Sequence, residues 1–240
     1  MQTRRVAPWP CLLAAPKLAV LLAALLPALV LALLLAGLLL TLQARAWDAA
    51  LMRSAAQRLG PQALAQLGPL QALLNEGKTQ DERRQLAQVN EFFNLRIVFT
   101  PDSEVWSQDD YWATPLQALA AGRGDCEDYV IAKYVSLLAM GMPRPKLRLV
   151  YVRARLPDEP EPVPHMVLAY YANPGAEPLV LDNLRAEVWP ASRRPDLTPV
   201  FSFDSERLWQ GTGQASAGDA MARLSRWRDV WQRIQLEGFF

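Results

Sequence analysis

The chain has 240 residues, with 25 Lys and Arg against 24 Asp and Glu, for a formal net charge of +1. That balance excludes an electrostatic nucleic-acid binder, which needs a strongly basic domain. Apolar residues make up 51% and mean hydropathy is +0.01, which is too apolar for a disordered chain and too polar for a polytopic membrane protein. Two Cys and one His exclude a disulfide scaffold and a zinc site built from Cys and His.

Two unlike parts lie behind these averages. Residues 1–46 carry Arg4, Arg5, Lys17 and Arg45 and no acid, which leaves residues 47–240 slightly acidic. From 18 to 42 every residue except Thr41 is apolar or small. As a helix this run is about 37 Å long, enough to cross a bilayer core of about 30 Å. It exceeds the usual secretory h-region of about 7–15 residues, which favours a retained anchor. Ala44-Arg45-Ala46 reads as an A-x-A cleavage pattern before Trp47, which favours a removed signal. Both readings stay open. In both, the basic N-terminus stays cytoplasmic, residues 47–240 are exported, and membrane contact is confined to the N-terminal segment. Cys11 follows Trp9 and Pro10, not a lipobox.

The exported part, 47–240, is the size of one domain. Its first third reads helical. Residues 47–59 place Ala50, Leu51, Ser54, Ala55 and Arg58 at helical spacing, and Gly60-Pro61 stops the run. A second helix covers about 61–75. A third covers 81–94, with Leu86, Val89, Asn90 and Phe93 on one side. A strand is expected over 96–100, then an irregular stretch with Trp106, Asp109, Asp110, Tyr111 and Trp112. Thr114 caps a short helix that opens on Pro115 and breaks at Gly122 and Gly124. Asp125 starts a helix with a stripe of Ile131, Tyr134, Val135 and Leu138, ended by Gly141-Met142-Pro143.

The period then changes to two. Strands are expected at 146–155, 165–171 and 179–182, the last two joined by a turn at Asn173-Pro174-Gly175. An amphipathic helix with Met221, Leu224, Trp227, Val230, Trp231 and Ile234 closes the chain. Helices, then a strand meander, then a helix make an α+β domain with an antiparallel sheet.

Asp125 as a cap puts Cys126 in the first helical turn. There the unpaired N–H groups and the macrodipole favour the thiolate, the nucleophilic form. A small buried hydrophobe is the other reading of the same residue. A thiol needs a base, and His165 is the only imidazole in the chain. If strand residues pair so that their numbers sum to about 347, His165 faces Asp182. The carboxylate can then hold one ring nitrogen and leave the other for the thiol. The acids beside Cys126 oppose a thiolate. Either they form a plain cap and a solvated helix face, or Asp125 and Glu127 hold a hard cation such as calcium with help from Asp109 or Asp110.

Asp109-Asp110-Tyr111-Trp112-Ala113-Thr114-Pro115 and Gly124-Asp125-Cys126-Glu127-Asp128-Tyr129, running into Ile131-Ala132-Lys133-Tyr134, resemble the bacterial transglutaminase-like cysteine proteinases. Lys146-Leu147-Arg148, Val150-Tyr151-Val152, His165-Met166-Val167-Leu168, Pro178-Leu179-Val180-Leu181-Asp182 and Leu224-Ser225-Arg226-Trp227 continue the resemblance over nearly all of 47–240.

The resemblance implies a papain/transglutaminase-like fold, with N-terminal helices packed on an antiparallel sheet. It implies Cys126 as nucleophile, His165 as base and then acid, and Asp182 as orienting carboxylate. It implies calcium dependence with Asp125 and Glu127 as ligands, a set extended here to Asp110. It implies a periplasmic endopeptidase that cuts the N-terminal region of a large surface adhesin at a di-alanine site and so releases a biofilm. An inner-membrane cyclic-di-GMP receptor that sequesters the protease is the implied partner. The same triad also serves a transglutaminase or amidase, and a non-catalytic calcium-dependent periplasmic binding module is the reading from another class.

Overall fold

The computed structural model describes residues 47–240. The apolar run at 18–42, the pattern at 44–46 and Cys11 lie outside the described residues. Among the described residues no helix is long and apolar enough to cross a membrane.

Helix α1 (Ala49–Leu59) is capped by the Asp48 carboxylate, which accepts the N–H groups of Ala50 and Leu51. Gly60, at φ 103°, ends it, and Pro61 opens α2 (Pro61–Gly77). Asp81 caps α3 (Glu82–Arg96) through the Arg84 N–H. This helix runs past Asn94, because the N–H of buried Ile97 still bonds Phe93 O. The strand expected at 96–100 therefore shrinks to β1 (Val98–Phe99).

Short α4 (Asp102–Val105) follows, then α5 (Pro115–Ala121), where Thr114 and Gln117 form a reciprocal capping box. Gly122 closes α5 in the left-handed conformation, φ 63°. β2 (Arg123–Gly124) then pairs parallel with β1, Val98 opposite Arg123 and Phe99 opposite Gly124. That pairing delivers the chain to α6 (Cys126–Ala139), which is buried on nearly every side.

The remaining strands form one antiparallel sheet: β3 (Leu147–Ala154), β4 (Val163–Tyr170), β5 (Leu179–Leu181), β6 (Trp189–Pro190), β7 (Leu197–Phe203), β8 (Arg207–Gln210) and β9 (Ser216–Asp219). Their order is β6-β5-β4-β3-β7-β8-β9. Helices on one side and a seven-stranded antiparallel sheet give the α+β class expected from the sequence.

β4 meets β5 with Leu168 opposite Leu181 and Tyr170 opposite Leu179, so paired numbers sum to 349, not 347. The connection is correspondingly longer, 171–178. Pro174 and Pro178 within it have no N–H to give to a ladder. A shift of two residues keeps every side chain on its face.

The Met166, Leu168 and Tyr170 side of β4 joins α6 and the N-terminal helices in the main core. Val167 and Ala169 join a smaller core with Val150, Val152 and Val180 on the other face. The closing helix is broken in two, α7 (Ala220–Arg223) and α8 (Ser225–Leu236), at extended Leu224. Trp227 of α8 is fully buried, packed edge-on against Phe203, Tyr134 and Trp112. Trp112 is thus a core residue.

Candidate active site

Cys126 is the first residue of α6 and is 9% exposed. The backbone N–H of Met166 on β4 reaches its sulfur. This contact brings the thiol to the residue next to His165.

His165 Nε2 lies 2.8 Å from Asp182 Oδ1, and both side chains are buried. In the observed register Asp182 stands beyond the last ladder pair, opposite Val167. It reaches His165 as a diagonal neighbour, not a facing one. Diagonal Cβ atoms lie about 7–8 Å apart, which a carboxylate and an imidazole span together. With Nε2 engaged, Nδ1 is the nitrogen left for chemistry.

The carboxylate is well supported. Asp182 Oδ1 also accepts the Leu184 N–H, Asn94 donates to the Asp182 carbonyl, and Arg194 Nη2 pairs with Oδ2 at 2.7 Å. Burial by itself pushes the carboxyl up. The His165 and Leu184 hydrogen bonds and the His165 and Arg194 charges outweigh it and hold the group at about 2.

The thiol's own side-chain partner is Glu127, at 2.7 Å from Sγ to Oε2, and not His165. Burial first, then the Glu127 and Asp125 carboxylates, push the thiol well above its ordinary range, against the smaller opposing effect of the Met166 N–H. The thiol is therefore protonated at neutral pH in this arrangement.

Asp125 occupies the N-cap position but makes no capping bond with its side chain. It turns instead toward Asp102 and Asp128, and one oxygen from each of these three carboxyls lies within 4.8 Å of the others. Asp102 sits at the start of α4 and accepts the Tyr111 N–H; Asp128 sits in the first turn of α6 and accepts the Ala113 N–H at 2.7 Å. Those bonds leave Asp102 Oδ1, Asp125 Oδ1 and Asp128 Oδ2 buried without a hydrogen-bond partner.

The electrostatics record the crowding. Burial and the neighbouring carboxylates push Asp125 up to about 9. Burial lifts Asp128 to about 7, with the Ala113 N–H resisting. Asp102 is raised by burial and by Glu127 and Asp110. A converging carboxyl cluster in which each member keeps an unpartnered oxygen is a donor set suited to a hard cation. Gly124 is required here, because a Cβ at that position would collide with the Asp128 carboxyl.

Of the acids named from the sequence, Asp125 belongs to the cluster. Glu127 adjoins Asp125 and is committed to the thiol. Asp110 is exposed and pairs with Arg226 at 3.2 Å, outside the cluster. Asp109 is exposed too. The residues missed were Asp102 and Asp128. For Asp128 a signal was present, since i and i+3 share a helix face with Asp125. For Asp102 there was none, because β1–β2 pairing brings it close from far along the chain.

The family model for bacterial transglutaminase-like cysteine proteinases matches residues 71–196, a span that holds Cys126, His165, Asp182 and the acid cluster. Among solved structures, the EGTA-treated form of Legionella pneumophila LapG is 34% identical, with a TM-score of 0.68 over 78% of this chain and 97% of that one. A second structure of that LapG gives 34% and 0.67, covering 78% and 96%. The calcium-bound form gives 33% and 0.66, covering 78% and 99%. Comparison with curated proteins gives no match.

Proposed function

The chain belongs to the bacterial transglutaminase-like cysteine proteinases, and from that membership we propose a calcium-dependent endopeptidase working through Cys126, His165 and Asp182. The observation that carries the triad is the buried His165–Asp182 pair on a strand whose next residue, Met166, brings its N–H to the Cys126 sulfur at the head of α6. Asp182 fixes the imidazole with its proton on Nε2, so Nδ1 takes the thiol proton. The thiolate attacks the scissile carbonyl, and the Cys126 N–H, at the open end of α6, faces the developing oxyanion. His165 returns the proton to the leaving amine. It then removes a proton from water as the thioester is hydrolysed.

Calcium enters the proposal through the three orphaned carboxylate oxygens of Asp102, Asp125 and Asp128. Bound there, the ion supplies positive charge next to the thiol. The acids that now hold the thiol protonated would then be offset. Solved structures of Legionella pneumophila LapG in calcium-bound and EGTA-treated forms support this reading.

The proposed substrate is the N-terminal region of a large surface adhesin, cut at a di-alanine site, with release of a biofilm as the outcome. The proposed location is the periplasm, either after signal removal or with the N-terminal segment retained in the inner membrane. The proposed partner is an inner-membrane cyclic-di-GMP receptor. The test is to mix the full chain with adhesin N-terminal fragments, with calcium or with EGTA. One cut is expected with calcium and none with EGTA, with Cys126→Ala or with His165→Ala. Cutting by either variant would remove the triad from the account.

A further inference from the structure

We propose that Arg194 and Asp196 are positioning residues for the catalytic carboxylate, a counter-ion pair that fixes Asp182 while leaving it a net negative charge to present to His165. This rests on the triad reading above and goes one shell behind it.

Arg194 follows the turn Ala191–Arg193, and its side chain is 2% exposed. Its backbone is fixed on both sides: Arg194 N bonds Ala191 O, and Leu197 N bonds Arg194 O. Asp196 O accepts the Arg155 N–H at the end of β3. The guanidinium grips Asp196 with two nitrogens, Nε at 3.1 and 3.2 Å and Nη2 at 2.7 Å. The same Nη2 meets Asp182 Oδ2 at 2.7 Å as an ion pair, without an aligned N–H. A buried cation thus stands on the side of Asp182 away from His165.

The charges explain why two residues are needed. Arg194 alone would neutralise Asp182, and an imidazolium would then form against a neutral pair. With Asp196 the three groups carry one net negative charge, and protonation of His165 brings the set to neutrality. Geometry comes from Arg194, whose planar fork cannot be deprotonated. Charge comes from Asp196. Two other charged groups act on the set: Lys133 of α6 on Asp182, and Arg185 on Asp196. From β3, uncharged Val152 lies opposite His165.

The test uses the fact that the chain has a single histidine. In the full chain labelled at His Cε1, one imidazole resonance is followed against pH at fixed calcium. Arg194→Gln should raise its midpoint by about one pH unit, a tenfold gain in proton affinity. Asp196→Asn should lower the midpoint, by less, because Asp196 is 25% exposed and screened. The double variant should return toward the starting value. Shifts in the same direction, or none, would overturn the proposal, since a merely structural role does not move the midpoint in opposite senses.

If Arg194→Gln does not fold, Asp196→Asn decides alone, and an unmoved or raised midpoint there refutes the pairing. The imidazole signal does not depend on peptide cleavage. Failure of the triad in the Cys126→Ala test is therefore distinguishable from failure here.

Discussion

Replacing Asp128 by Asn should flatten the pH dependence of stability in the calcium-free chain while weakening its response to calcium. Asp128 is fully buried, and its carboxyl is raised from 3.8 to about 7 by burial first and then by Asp102 and Glu127. A folded carboxyl that keeps its proton to higher pH than the unfolded one binds more protons between those values. Stability therefore falls as pH rises through that window. The cost of Asp128 to the folded state is about 2 kcal/mol at pH 5 and about 4 kcal/mol at pH 7.

Asp125 and Glu237, pushed up to about 9 and about 7 by burial, act in the same direction. Lys133, brought down to about 7 by burial, acts oppositely only above pH 7. The clean window is thus pH 5 to 7. Asn cannot ionise, and its amide oxygen can still accept the Ala113 N–H. In EGTA the variant should lose about 2 kcal/mol less than the parent between pH 5 and pH 7. Urea unfolding of the full chain, followed by tryptophan fluorescence, reads the difference. With calcium at pH 7 the parent should gain stability and the variant should gain much less. An unchanged or steeper pH dependence in Asp128→Asn would mean that burial does not raise this carboxyl.

Asp102→Asn should weaken calcium-dependent stabilisation, whereas Asp110→Asn should leave it nearly intact, since Asp110 is engaged with Arg226 outside the cluster; titration calorimetry with calcium on both variants checks this pair. Trp227→Ala should cost about 3–5 kcal/mol of unfolding free energy, because it empties the space between Phe203, Tyr134 and Trp112; a urea midpoint close to the parent's would contradict that packing.

The proposed nucleophile was the most legible part of the site in the sequence. A glycine pair, an acid and a Cys at the head of a patterned helix are local signals, and the structure keeps them in that order. The His165–Asp182 contact was readable as a parity, not as a register. The polar turn at Asn173-Pro174-Gly175 reads as the whole connection, whereas the ladder starts only at Tyr170 and Leu179. Because the error was two residues, the faces survived.

The acid cluster was legible only in part. Asp125 looked like a helix cap, and its carboxyl turns away to meet two others. Asp102 arrives through a non-local pairing of two very short strands, and no pattern within a local window reports that. The strands after Leu181 were hard to see for a similar reason. Pro199 lies inside β7 next to a register shift, and Gly213, Ser216 and Gly218 dilute the alternation around β9.

In the proposed mechanism His165 activates the Cys126 thiol. This activation is tested most directly by the rate of carboxymethylation of Cys126 in the full chain at pH 7 with calcium, mapped by peptide mass and compared with His165→Ala. Rapid modification is expected in the parent, and a loss of about tenfold or more in the variant. Equal rates in the two proteins would contradict it.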